Sequence, residues 1–511
     1  MPAGTSSVNA SASACASPSA SPSASNLRLV WAWPHGSVPR WLAQCLARLQ
    51  SVDGLQASLG TPPAATASSG AVTLLLDPAQ PCPGRCWLLT DGSGLPLDPL
   101  HPLLAGITGG HGIDLALWQR SAAAQDWQLL RRLHVAATPR YSRALRDLPQ
   151  AAARLLHQAA IAVQLPDAAP DAIASTALRP AARAARTSLW RRVAQRLRGE
   201  WLADRLRQRA RWLTEAWQIG IIDQPLGSWA LGTSMPPVRW LPAPSSQGYW
   251  ADPMADGTSS EHLLCEYFDA EQGRGRIERL AVDATGVTRR QTLPLGEGQH
   301  VSFPLVLNLG GRRVGLAETA ALGRCQLHEV GDDGSWRPVA TLLDGVAAAD
   351  PALFEWEGRC WLAYTDIALG AMDNLCLLHA PALEGPWEPH ANNPVKVDIT
   401  GARMAGGLFW HQGALYRPAQ NCLQTYGASV LVHRVLRCTP TAYEEEAVRE
   451  LRPDPHGPCP DGMHTLSAWG QRSLVDGKRH VFSPRSLWLK LTRRWHKPAG
   501  AADKLPSVEL R

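Results

Sequence analysis

Two aspartates in this sequence share one local frame. Asp252 lies in GYWADPMADG, residues 248–257, and Asp350 in AAADPALF, residues 347–354; each is the centre of an Ala-Asp-Pro ahead of an apolar run that ends at a glycine turn. Carboxyl groups donate and accept protons, and two of them held in different environments can serve as acid and base on one bond. Proline fixes its own φ, removes a ladder donor and biases the preceding residue toward extended backbone. The pair is therefore expected at strand entrances, with its carboxylates aimed in fixed directions. Asp-Pro also caps ordinary loops, and a single copy would say no more than that.

The elements that must position these residues repeat. From Trp240 onward the chain turns to short β-rich segments separated by Gly, Asn and Asp. Five copies of strand, glycine turn and strand follow: MADGTSSEHLLCEYF, LVLNLGGRRVGLAET, LFEWEGRCWLAYTD, LFWHQGALYRPAQ and SLVDGKRHVFSP. Their turn glycines, Gly257, Gly311, Gly358, Gly413 and Gly477, are 54, 47, 55 and 64 residues apart. Repeats of this length that each supply a small sheet predict a five-bladed β-propeller. In a radial array the innermost strands begin near the axis, so the polar residues ahead of each hairpin converge. Those are Asp252, then His300 with Ser302, then Asp350, Arg403 and His464.

The rest of the chain reads differently. With 511 residues and a mass of 55.2 kDa it exceeds what one core supports. Strands at Leu27 to Trp33, Ala71 to Leu76 and Ile113 to Trp118, with helices at Val38 to Leu49 and Leu148 to Val163, predict an N-terminal α/β domain over 27–178. Trp41, Cys45 and Leu49 mark the buried face of the first helix. No Gly-x-Gly-x-x-Gly follows the first strand, so no dinucleotide or other cofactor is expected. Residues 1–26 read as a disordered Ser/Ala/Pro tail without the basic and apolar regions of a signal peptide, and 491–511 as a basic tail. No window of about twenty apolar residues suggests a membrane span. Eleven cysteines, mostly inside apolar runs, fit buried thiols in a reducing compartment; only Cys82 and Cys86 are closely spaced, and with no second pair at zinc-ligand distance no metal is expected.

The overall division is the tail 1–26, the α/β domain 27–178, a basic amphipathic helical connector 179–225, the propeller 245–490 and the tail 491–511. A net charge of +6 does not by itself argue for nucleic acid, and no nucleic-acid partner is expected. The basic residues do cluster, with eleven Arg between Arg179 and Leu213 against Glu200 and Asp204. Trp190, Val193, Leu197 and Trp201 recur there at helical spacing. The plain reading is a solvated helix packing its tryptophans on a neighbouring domain; the alternative is peripheral contact with an anionic membrane. A cytoplasmic location, with any such contact at the inner face of the cytoplasmic membrane, is the expectation.

The segments WADP, SFPLV, LAET, ADPALF, DNLCLLHAPALEGPWEPH, GARMAGGLFWHQGALYRPAQNCLQTYG and GMHTLS together resemble the five-bladed propeller found ahead of the glycosyltransferase domain in the glucosamine inositolphosphorylceramide transferase family, and in bacterial proteins carrying that propeller. The resemblance runs from about Trp240 to Pro484, with EAWQIGIIDQPL similar to the family's lead-in. More remotely, Asp252 and Asp350 sit as the paired aspartates do in five-bladed glycosidases of the arabinanase and levansucrase type. By that analogy Asp350 would orient the substrate and tune a neighbour. Asp252 would be base or nucleophile, and Glu318, which ends the second hairpin, the acid. Glu384 in LEGPWEPH is a rival acid, set aside as part of an outer turn.

Among further candidates, Arg403 and Arg417 could bind a phosphate or carboxylate, or either could instead pair with Asp350. Gln420, Asn421, Tyr426, His300 and His464 are candidate partners of sugar hydroxyls, and Trp250 a ring on which a sugar could stack; blade packing is the plain role for each. Three functions stay open: an enzyme making or breaking a glycosidic bond in envelope polysaccharide or glycolipid metabolism, acting on a glycan or activated sugar; a non-catalytic glycan-binding propeller; and a protein-binding scaffold.

Overall fold

The computed structural model describes residues 27–163, 194 and 213–482, apart from loop positions 33–37, 39, 53–54, 61–70, 76–78, 81–83, 98–100, 121–125, 138–140, 245–247 and 258–260. The basic segment between Arg179 and Leu213 and both tails lie outside the described residues. No described helix is long and apolar enough to cross a membrane.

The N-terminal domain is a mixed sheet of six strands in the order β2-β1-β3-β4-β5-β6. These are β1 (Leu27–Ala32), β2 (Leu55–Gly60), β3 (Ala71–Leu75), β4 (Arg85–Asp91), β5 (Ile113–Arg120) and β6 (Gln128–Val135). The first four pair in parallel and the last two antiparallel. Helix α1 (Arg40–Gln50) buries Trp41, Cys45 and Leu49, as their spacing predicts. Helix α2 (His101–Thr108) supplies Leu104 and Ile107, and α3 (Tyr141–Ala162) supplies Leu148, Leu155 and Ala159 to the same core. Helix α3 starts seven residues ahead of the expected Leu148 and carries Pro149 inside it.

The C-terminal part is a five-bladed propeller, built from five sheets each of four or five strands. Blade 1 holds β9 (Gly248–Ala255), β10 (His262–Asp269), β11 (Arg274–Asp283) and β12 (Gly286–Thr292). Blade 2 holds β13 (Ser302–Leu309), β14 (Arg312–Glu318), β15 (Arg324–Val330) and β16 (Trp336–Asp344). Blade 3 is built on β17 (Ala348–Trp356), β18 (Arg359–Asp366) and β19 (Asn374–Ala380), with short β20 (Glu388–Pro389) and β21 (Lys396–Val397) on its outer side. Blade 4 holds β22 (Phe409–His411), β23 (Ala414–Asn421), β24 (Ser429–Cys438) and β25 (Tyr443–Leu451).

Blade 5 departs from the expected domain limits. Its inner strands β26 (Leu466–Trp469) and β27 (Arg472–Phe482) are completed by β7 (Leu213–Ile222) and β8 (Arg239–Trp240), which precede blade 1 in the chain. Part of the expected 179–225 helical connector is thus a strand, and the propeller begins near Leu213 rather than at 245. Strand β7 pairs with β27 along its whole length, from Ser473↔Ile222 to Phe482↔Leu213. Sealing the ring with both ends of the propeller segment removes two sheet edges that would otherwise be exposed. The short helix α4 (Leu226–Ala230) packs Leu226 and Trp229 against the same blade.

The hairpin turns explain the glycine repeat. Gly310–Gly311, Glu357–Gly358 and Gln412–Gly413 are all left-handed pairs, with φ of 56 and 75, 48 and 74, and 50 and 77 degrees. This is the backbone of a two-residue turn matched to strand twist. In blade 5 the turn glycine is Gly470, φ 60 degrees, and not Gly477, which lies within the continuous strand β27. The last step then becomes 57 residues and the repeat is more even. Gly477 is glycine for packing, since a Cβ there would lie 2.4 Å from Trp240 and 2.6 Å from Cys459.

The two domains meet at the loop between β20 and β22. Val397 is buried in the core of the N-terminal domain. Arg131 of β6 donates to the Pro394 carbonyl at 2.6 Å, and the Ile399 N–H donates to the His134 carbonyl at 2.7 Å. His134 faces Asp398 at 3.5 Å, and Arg154 of α3 faces Asp373 at 3.7 Å. The chain runs from this loop directly into Arg403. Nine cysteines among the described residues are buried.

Candidate active site

Each of the first three blades opens with a residue in left-handed backbone directly before a proline: Asp252 (φ 50 degrees), Phe303 (φ 47 degrees) and Asp350 (φ 47 degrees). The extended conformation expected before proline is not what these positions adopt. Each sits where the first two strands of its blade slip register, between Leu264 and Glu266, between Ser302 and Leu305, and between Ala349 and Ala352. A bulge re-aims the side chain that strand alternation would place elsewhere. A left-handed non-glycine residue costs on the order of 1–3 kcal/mol and persists only where the surroundings hold it.

The hold comes from carboxylates. The Asp252 N–H donates to Asp476 Oδ2 at 3.2 Å, the Phe303 N–H to Asp252 Oδ2 at 3.3 Å, and the Asp350 N–H to Glu318 Oε2 at 2.9 Å. In every case the acceptor belongs to the preceding blade around the ring. The acceptors Glu318 and Asp476 occupy one structural position, the second-strand residue opposite the start of the bulge. Register places Glu266, Glu318 and Thr365 there in blades 1 to 3, since they face Ala251, Ser302 and Ala349. Backbone bonds to Arg403 and Thr465 place Gln420 and Asp476 there in blades 4 and 5.

Two circles of side chains therefore surround the axis, and most of the expected residues are in them. Arg403 grips Asp350 from both sides, Nε to Oδ2 at 2.5 Å and Nη2 to Oδ1 at 3.1 Å, and lies 4.0 Å from Glu318. Of the two expected readings of Arg403, the structure shows the ion pair with Asp350. Gln420 adds a bond to Asp350 Oδ2 at 2.7 Å. The Arg403 guanidinium is 5.1 Å from the centre of the Tyr426 ring, which in turn meets His464 edge-on at 5.2 Å. His464 joins two aspartates, Nδ1 to Asp476 at 2.6 Å and Nε2 to Asp252 at 3.3 Å. Thr465 donates to Asp252 Oδ1 at 2.9 Å.

The protonation states differ around the ring. Burial pushes Asp252 up to about 6; His464 pulls it down, while Asp350 and Asp476 push it further up. Burial pushes Glu318 higher, to about 8, reinforced by Asp350 and opposed by Arg403. Burial lowers His464, but the charges of Asp476 and Asp252 outweigh that and raise it. Burial thus favours the protonated form of both carboxyls, and of Glu318 more than of Asp252, a separation of the kind that acid–base chemistry uses.

Three expected residues are placed differently. Trp250 does not face the axis: its indole N–H donates to Glu278 at 3.0 Å and Arg290 covers it at 5.1 Å. It lines a cavity of about 430 Å³ at the edge of blade 1, together with Pro242, Pro244 and Arg289. The bulge that turns Asp252 to the axis leaves Trp250 in the layer between blades. Arg417 is three residues from Gln420 and so on the other face of β23. There it is fully buried in a pair with Glu445, Nη2 to Oε1 at 2.6 Å and Nε to Oε2 at 2.7 Å. His300 stands at the rim, its side chain 37% exposed, with Nδ1 accepting the Gly275 N–H at 2.8 Å. The set-aside Glu384 is exposed and paired with Arg312 at 2.5 Å.

Three ring residues escaped the sequence reading, Glu266, Thr365 and Asp476, with Thr465 beside them. The spacing of seven residues past the turn glycine that Glu318, Thr365 and Gln420 share marks Thr365 but would not have found the other two, since Glu266 lies nine past Gly257 and Asp476 six past Gly470. Asp476 was hidden by taking Gly477 for the turn. One atom each from Asp252, His464 and Asp476 lies within 4.8 Å of the others, the one grouping of metal-ligand composition found among the described residues. Both ring nitrogens of His464 already lie within ion-pair distance of the two carboxylates.

Comparison with known proteins places the likeness in this half of the chain. Residues 263–455 match the family model described as glucosamine inositolphosphorylceramide transferase 1, N-terminal. The glucosamine inositolphosphorylceramide transferase 1 of Arabidopsis thaliana is 31% identical over 163 residues, 30% of this chain and 21% of that protein. The protein of the same name from Oryza sativa subsp. indica is 28% identical over 162 residues, 30% of this chain and 22% of that one. The match thus spans about a fifth of these relatives' length. Solved structures similar to this chain include an exo-beta-1,3-galactanase from Clostridium thermocellum, at 10% identity and TM-score 0.34, covering 43% of this chain and 57% of that one. Another is a family 117 glycoside hydrolase from Zobellia galactanivorans, at 12% identity and TM-score 0.33, covering 48% and 90%.

Proposed function

We propose that the axial ring binds a glycan or an activated sugar and carries out acid–base chemistry on its glycosidic bond. The observation that carries this reading is that Asp252 and Glu318 stand in one ring, both buried and with different neighbours, His464 beside the first and Arg403 beside the second, so that burial raises both and Glu318 further. Glu318 would give its proton to the leaving oxygen, and Asp252 would take one from the attacking group or attack directly. Asp350, held by Arg403 and Gln420, is an acceptor fixed in position beside them. Strain at Asp252 and Asp350 fits a site built for position rather than for stability. The name of the matched family, a transferase of glucosamine, supports a sugar as ligand.

The setting that goes with this reading is envelope polysaccharide or glycolipid metabolism at the inner face of the cytoplasmic membrane, with Arg179 to Leu213 as the peripheral contact. A second reading, a glycan-binding propeller without turnover, is favoured by one observation. Asp252 and Glu318 also accept backbone N–H groups from the next blade, a stapling role that needs no chemistry. Incubating the protein with a panel of oligosaccharides and nucleotide sugars, followed by mass spectrometry, separates the two. A cleaved or transferred sugar supports the enzyme, and glycan binding with no product supports the binder.

A further inference from the structure

Glu266 occupies in blade 1 the place that Glu318 occupies in blade 2. Glu318 receives the N–H of the next blade's bulge, Asp350. The corresponding N–H beyond Glu266, that of Phe303, goes to Asp252 instead. The Glu266 side chain is only 9% exposed, and its Oε1 is buried without a hydrogen-bond partner. The nearest base, His300, is no donor from the near side: its Nδ1, 3.8 Å from Oε1, already accepts the Gly275 N–H.

The groups facing Glu266 are nearly all acidic or neutral. The charges of Asp252, Glu318, Asp350 and Asp476 act on it from blades 1, 2, 3 and 5, Tyr249 lies within electrostatic reach on β9, and Cys265 adjoins it on β10. The ring's cations are spent elsewhere, Arg403 on Asp350 and His464 between Asp252 and Asp476. An isolated carboxylate buried among like charges takes up a proton rather than stay ionised. Space has been kept for the carboxyl, since a Cβ on Gly275 would lie 2.0 Å from Oε1.

We infer that Glu266 is a second acid of the axial site, a protonated carboxyl whose O–H is free to donate to an oxygen of a bound ligand. The ligand class is one rich in hydroxyl or ether oxygens, and naming it a glycan rests on the function proposed above. Glu266 and the rim His300, 3.8 Å apart, then form a donor side of the axial site.

Infrared spectra of the full chain around neutral pH, read in the protonated-carboxyl region, test the inference without any ligand. Two components are expected, one lost in Glu318→Gln and the other in Glu266→Gln. A Glu266→Gln spectrum that keeps every protonated-carboxyl component of the wild type overturns the proposal. Gly275→Ala, which crowds Oε1, should shift the same component and stands in if Glu266→Gln does not fold; no shift there counts equally against it. Binding of the oligosaccharide panel, followed by ligand-observed NMR, adds the second arm. Glu266→Ala is expected to weaken binding about tenfold, the loss of one hydrogen bond, and Glu266→Gln less. Unchanged binding in Glu266→Ala overturns the donor role. A wild type that binds no glycan, with the infrared component still lost in Glu266→Gln, overturns the sugar reading and leaves the acid in place.

Discussion

Replacing Glu318 by Gln should make the protein more stable, and only at the alkaline end. The folded state holds the Glu318 carboxyl up to about 8 against 4.5 when free. Between those values the folded protein binds a proton that the unfolded chain has released, so stability falls as pH rises through this window and levels off above it. At about 1.4 kcal/mol per unit the full shift corresponds to about 5 kcal/mol; because the neighbouring carboxyls share the effect, on the order of 3–5 kcal/mol is expected. Glutamine keeps the shape and can still accept the Asp350 N–H through its amide oxygen, yet it has no proton to lose. Urea unfolding read by tryptophan fluorescence should give nearly equal midpoints for the two proteins near about pH 5, with Glu318→Gln clearly ahead near about pH 8. A difference that is the same at both ends, or one favouring the wild type at alkaline pH, refutes the burial account of Glu318.

Arg417→Ala should cost about 3–5 kcal/mol in thermal or urea unfolding, because it leaves Glu445 buried without its partner; glycan binding to the folded fraction should be unchanged, and a loss of binding would return Arg417 to the site. Arg403→Lys keeps the charge but loses the two-point grip on Asp350. It should weaken ligand binding about tenfold in titrations, and unaltered affinity would make the Asp350 pair purely structural. If the segment from Arg179 to Leu213 meets a membrane, the protein should float with anionic vesicles and be released by high salt; equal recovery with neutral vesicles, or none with either, contradicts that contact.

What the sequence disclosed follows from how directly each feature is tied to local chemistry. The propeller was legible because Gly311, Gly358 and Gly413 sit where left-handed turns demand glycine. Asp252 and Asp350 were legible because the proline after each marks the bulge. The third copy of that device, Phe303-Pro304, was overlooked as a bulge, since phenylalanine there offers no chemistry to notice. Closure by β7 was not legible: LTEAWQIGII is a plausible strand, but nothing local says that it pairs with residues more than two hundred positions away. Glu266 was missed within CEYF for a related reason, as its role depends on an N–H that goes to another residue. Trp250 was misplaced because strand alternation near a bulge cannot be counted without its register, and Arg417 because alternation along β23, which separates it from Gln420, was not applied.

The account stands on Asp252, and turnover is its most direct test. Asp252→Asn keeps an amide oxygen for the Phe303 N–H and turns its NH2 to the Thr465 hydroxyl, which can accept in place of donating, while the charge is removed, so circular dichroism and glycan affinity should match the wild type. Product formation from whichever member of the sugar panel the wild type converts should fall by about 10²–10⁴-fold, the range for removing an acid–base group. An Asp252→Asn protein that is folded and still converts the sugar at the wild-type rate contradicts the central claim.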